Sequence, residues 1–114
     1  MEGQKINSSH LKVVNGQVFI DPNVSKGNPG MLLIYATWCG HCQKFKPTFN
    51  ELCKQLGNDF PCTSIEDADL TDDSIKSALD FRGFPTIKFF DQSGRIIGEY
   101  NKGDRSKDAL LNHI

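Results

Sequence analysis

Residues 31–49 read MLLIYATWCGHCQKFKPTF, and the hydrophobic period changes inside them. Met31 to Ala36 is an unbroken apolar run between Gly30 and Thr37. It is too short for a typical helix and suits a strand buried on both faces. Past the two cysteines, Cys42, Phe45, Phe49, Leu52 and Leu56 recur at helical spacing, and Gly57 follows as a C-cap. Pro47 removes one backbone donor and is expected to kink that helix. A buried strand therefore turns directly into a helix, with Cys39 and Cys42 at the turn. By itself the CxxC pair serves equally as part of a metal site, a structural disulfide, or a pair that cycles between thiol and disulfide.

On either side of this unit the signals alternate. Leu11, Val13 and Val14, then Val18 to Ile20, give a weak strand signal, and DPNVSKGNPG (21–30) is dense in turn formers. Downstream, Phe60 to Ile65 reads as a strand, and a helix starting near Thr71–Asp73 buries Ile75, Ala78 and Leu79. TIKFF (86–90) and RIIGEY (95–100), separated by DQSG, read as an antiparallel hairpin. Ser106 caps a last helix that presents Leu110, Leu111 and Ile114 to the core. Strands alternating with helices predict an α/β fold with a central mixed sheet of four to five strands and helices on both faces.

The chain has 114 residues, 38% hydrophobic with eight Phe, enough for one domain with its own core. Residues 1–10 are polar and are expected to form a disordered tail, leaving 11–114 as the domain. A formal net charge of -1 gives no electrostatic reason for nucleic acid or anionic membrane as partner. No apolar run approaches the roughly 20 residues that span a bilayer. The N-terminal residues lack an apolar h-region and LLNHI is no retention tail, so a cytoplasmic monomer is expected, with the endoplasmic reticulum lumen as the address if a leader was removed.

At a helix N-terminus, unpaired amide N–H groups and the positive end of the dipole favour a thiolate over a thiol. The pKa of Cys39 is therefore expected to fall, with Cys42 one turn further in and less exposed. That asymmetry suits exchange, in which Cys39 attacks and Cys42 resolves. His41, when protonated, adds positive charge beside the thiolate and makes the disulfide more oxidising. A zinc site needs four ligands in paired groups, and Cys53 and Cys62 are single and distant in sequence, as buried free cysteines usually are. No metal and no cofactor is expected.

Three motifs in order carry a family resemblance: WCGHC after a buried strand, GFPT (83–86) opening a later strand, and Gly103–Arg105 before the last helix. Over roughly residues 30–114 the chain resembles the thioredoxin superfamily, and its CGHC and FPTIKFF are similar to the catalytic domains of protein disulfide isomerases. The resemblance implies a thioredoxin fold and a dithiol site of Cys39, Gly40, His41 and Cys42. It implies a cis peptide bond at Pro85, with the Phe84 backbone, Thr86 and the rim residue Trp38 forming a groove for extended substrate. It further implies that Arg105 swings toward the resolving cysteine.

One position departs from the pattern. The family usually buries an acid six residues before the nucleophile, where this chain has Leu33. Slower proton transfer at Cys42 is expected, or a route through water, His41 or Arg105. The expected function is thiol–disulfide exchange on protein substrates, leaning to oxidation and isomerisation, with a reductase, an oxidase or glutathione as electron partner. The alternative is a peptide-binding or chaperone module that uses the groove beside Pro85.

Overall fold

The computed structural model describes residues 3–114. Its strands are β1 (Gln4–Ile6), β2 (Leu11–Val14), β3 (Gln17–Ile20), β4 (Gly30–Tyr35), β5 (Cys62–Glu66), β6 (Thr86–Phe90) and β7 (Ile96–Glu99). The α-helices are α1 (Pro22–Ser25), α2 (Gly40–Leu56), α3 (Asp73–Leu79) and α4 (Lys107–His113). Five strands form one mixed sheet in the order β1–β5–β4–β6–β7. β4, the apolar run, lies at its centre, parallel to β5 and antiparallel to β6.

Because side chains alternate along a strand, β4 feeds two cores at once. Leu32 and Ile34 pack with Leu11, Ile20, Val24, Ile75 and Leu79, which come from the β2–β3 hairpin, α1 and α3. Met31 and Leu33 face the opposite way, with Phe45, Phe49, Leu52 and Leu110 of α2 and α4. Each fully buried aliphatic of this kind contributes about 1.5–3 kcal/mol relative to leaving it exposed. Gly30 starts β4 because nothing larger fits: a β-carbon there would stand 2.3 Å from the Pro61 carbonyl oxygen and 2.5 Å from the Phe90 ring.

The structure differs from the sequence expectation in several places. Residues 1–10 were expected to be a disordered tail, but Gln4–Ile6 forms β1, which pairs in parallel with Thr63–Ile65 of β5. Ile6, 1% exposed, anchors it in the core. The first 310 turn, Ser8–His10, is tied by Ser8 Oγ donating to the Asp69 carbonyl at 2.9 Å. The strand signal from Leu11 to Ile20 resolves into two strands outside the central sheet, paired as a hairpin through Asn15 and Gly16. Both of those residues have positive φ, 52° and 78°, the requirement of a tight two-residue turn. Ile114, expected in the core, is 42% exposed. Among the described residues no helix is long and apolar enough to cross a membrane.

Candidate active site

β4 ends at Tyr35 and α2 begins at Gly40, so the chain reverses between them over Ala36–Cys39. The turn is held by the Cys39 N–H donating to the Ala36 carbonyl at 3.2 Å and by Gln43 Nε2 donating to the Thr37 carbonyl at 2.9 Å. Cys39 is the N-cap residue of α2, and its side chain makes no capping bond to the first turn. Across the turn stands the loop before β6, where the Phe84–Pro85 peptide bond is cis. The Cys39 thiol donates to the Phe84 carbonyl at 3.6 Å. Ala36, Cys39 and Cys42 form a small buried cluster against Tyr35 and Phe84.

The two thiols were expected to differ in exposure, with Cys42 deeper. By residue area they hardly differ, at 8% and 7%. What separates them is what each sulfur meets. The Cys42 amide N–H, at the start of the helix, is the main influence holding the Cys39 thiol below its ordinary range. The Cys42 thiol, the His41 amide N–H and the Arg105 charge act in the same direction, against burial. Burial pushes the Cys42 thiol up, to about 11, and the Arg105 charge opposes that rise. His41 thus reaches Cys39 through its backbone, while its side chain is exposed. A β-carbon on Gly40 would meet no atom within 4 Å, so glycine is not sterically required there.

The space beneath Cys42 carries no acid. Leu33, Tyr35, Phe45, Lys46 and Pro85 join Cys42 around a cavity of about 30 Å³. That volume holds a single water. Lys46 was not singled out from the sequence, although its i+4 spacing from Cys42 places it on the same helix face. Tyr35 was seen only as part of the apolar run. Among the described residues no group of three or more His, Cys, Asp or Glu side chains is placed to hold a metal ion.

The remaining expected residues surround the thiol pair. Trp38 is 73% exposed, and its ring meets that of Phe84 edge-on at 5.5 Å and 87°. Phe84 in turn leans on Phe81 at 5.6 Å. Thr86 is buried and its Oγ1 donates to the Gly83 carbonyl at 2.6 Å, closing the loop in front of the cis bond. Phe84, Pro85, Thr86, Tyr100 and Arg105 line a cleft of about 380 Å³ beside that bond. The loop carrying Arg105 is fixed by the Tyr100 hydroxyl donating to the Asp104 carbonyl and by the Ser106 N–H donating to Asp104 Oδ1 at 2.9 Å.

A mixed five-stranded sheet, a CxxC pair at the head of α2 and a cis-proline facing it are the defining features of thioredoxin-fold dithiol proteins. The chain belongs to the thioredoxin family, whose model, described as Thioredoxin, matches residues 10–114. Its curated relatives include a protein disulfide-isomerase of Datisca glomerata, 35% identical over 94 residues, covering 80% of this chain and 18% of that protein. A protein disulfide-isomerase of Ricinus communis is 33% identical over 111 residues, covering 96% of this chain and 22% of that protein. The chain thus spans about a fifth of the length of these relatives. Human ERp44 in its crystal form II shares the fold, with a TM-score of 0.74 at 20% identity over 99% of this chain and 29% of that one.

Proposed function

We propose that this chain catalyses thiol–disulfide exchange on protein substrates, leaning to oxidation and isomerisation. The observation that carries this reading is the placement of Cys39 Sγ between the first amides of α2 and the Phe84 carbonyl, with Cys42 one turn behind it. The Cys39 thiolate attacks a substrate disulfide, forming a mixed disulfide and releasing one substrate thiolate. Cys42, once deprotonated, attacks Cys39 Sγ, which releases the second substrate thiolate and leaves the Cys39–Cys42 disulfide. Oxidation of a substrate dithiol is the same sequence reversed.

An extended substrate segment pairs with the backbone at Phe84 and lies against Trp38, Pro85 and Thr86. Arg105 supplies positive charge to both sulfurs, and its charge opposes the effect of burial at Cys42. With Leu33 where an acid would stand, a water in the small cavity carries the Cys42 proton. Stabilisation of the Cys39 thiolate favours the reduced pair, so the disulfide is a good oxidant. That direction belongs to an oxidising compartment such as the endoplasmic reticulum lumen, rather than to the cytoplasm expected from the sequence. A reductase, an oxidase or glutathione completes the electron cycle.

The test is equilibration of the chain in glutathione buffers, followed by alkylation and digestion. A reversible Cys39–Cys42 disulfide is expected, together with accumulation of a mixed disulfide with a reduced-and-reoxidised protein substrate in Cys42→Ser. A pair that stays reduced across the whole buffer range would overturn the reading.

A further inference from the structure

The far end of α2 carries a second pair of cysteines. Cys53 lies in the penultimate turn of the helix and Cys62 opens β5, and both thiols are reduced. They are nine positions apart in sequence and come into one buried cluster because the chain turns back onto the sheet through Gly57–Asp59. Both are buried in the cluster built by Met31, Phe49 and Leu52. A β-carbon built on Gly3 would stand 3.3 Å from the Cys62 β-carbon and 3.5 Å from Cys53 Sγ, so the two side chains border one point. Both cysteines also line one cleft of about 660 Å³, together with Lys26 and Lys54.

We propose that Cys53 and Cys62 form a second reversible dithiol/disulfide centre, which exchanges with small disulfides of the glutathione class. One of the two thiolates attacks glutathione disulfide and releases one glutathione thiolate. The other attacks the mixed disulfide and releases the second, so two protein thiols are oxidised and one glutathione disulfide becomes two glutathione molecules. Reduction by glutathione runs the same steps backwards. Cys42 and Cys53 are 11 residues apart on one helix, about 16 Å along its axis at 1.5 Å per residue. Direct exchange between the two pairs is therefore excluded by distance, and the second pair responds to the surrounding redox poise independently of the first. Its cleft admits a small peptide disulfide, and no exposed aromatic rim like that of Trp38 and Phe84 surrounds it among the described residues.

Trypsin separates the pairs. Cys39 and Cys42 fall in peptide 27–44, Cys53 in 45–54 and Cys62 in 55–76. The full chain is incubated with glutathione disulfide, alkylated and digested without reductant. The expected product is a linked 45–54/55–76 species, two hydrogens lighter than the sum of its parts, with alkylation of both peptides lost together. Excess reduced glutathione restores both. The same product is expected in Cys39→Ser/Cys42→Ser, so failure of the site at Cys39 leaves this measurement intact. Full alkylation of both peptides, or glutathione retained on one peptide with no linked species, would overturn the proposal.

Discussion

Cys39 and Cys42 have identical side chains and nearly equal residue exposure, yet they differ in acidity: amide N–H groups favour the Cys39 thiolate, while burial disfavours that of Cys42. A cysteine whose pKa is lowered becomes nucleophilic below the ordinary thiol value of about 8.5, and one that is raised stays protonated well above it. In the reduced chain, alkylation by iodoacetamide should therefore rise in two steps with pH. The first step is shifted down from the ordinary thiol range and belongs to peptide 27–44 at Cys39; the second lies near 11 and belongs to Cys42. A single step for both would contradict the assignment.

The His41 amide N–H is one of the groups that stabilise the Cys39 thiolate, and a proline has no N–H to give. Position 41 lies in the first turn of α2, where proline is tolerated. Losing that donor weakens the thiolate and with it the reduced pair, so His41→Pro is expected to be more reducing, measurable in glutathione buffers. Leu33 sits one layer further in. Leu33→Glu places a carboxylate against Cys42, and turnover in insulin reduction is expected to increase, while stability falls by about 1–3 kcal/mol for the buried polar group. Unchanged turnover in a folded variant would show that water already moves the proton freely.

At the scale of elements, the loop before α4 deserves a separate measurement because it sets where Arg105 stands. Ser106 caps α4, its Oγ accepting from the Ala109 N–H at 3.2 Å. Ser106→Ala should cost about 1 kcal/mol of stability, a fall in Tm of roughly 4 °C, readable by thermal unfolding. The cap was legible in the sequence because serine ahead of an apolar helical pattern is a strong local signal. β4 and α2 were legible for a related reason: each carries a long pattern with a defined start and stop. β1 was not. It has three residues, only Ile6 turns inward, and its strand character comes from pairing with β5, which no local pattern encodes. The β2–β3 hairpin carried a readable Asn15–Gly16 signal that the weak strand pattern around it obscured.

Across the whole molecule, the central sheet and the dithiol turn follow from patterns in the sequence, whereas the surroundings of the sulfurs follow from long-range packing. That Phe84 would face Cys39 was implied by a motif 45 positions away, and the structure supplies the contact. The absence of an acid at Leu33 could be read directly, but the small cavity left beneath Cys42 depends on how Tyr35, Phe45 and Lys46 pack. That Cys53 and Cys62 share one buried cluster was hidden for the same reason: in the sequence they are single cysteines nine positions apart, and only the return of the chain from α2 to β5 places them there.

The chain has one tryptophan, and it stands at the edge of the reactive turn, largely in solvent and against the Phe84 ring. An indole so placed is a built-in optical reporter: its emission is free of contributions from any other tryptophan and senses the sulfur chemistry beside it. Emission followed during stepwise reduction should change with the Cys39–Cys42 couple alone and stay constant while the Cys53–Cys62 couple titrates. One unlabelled sample would then resolve which pair is taking up electrons.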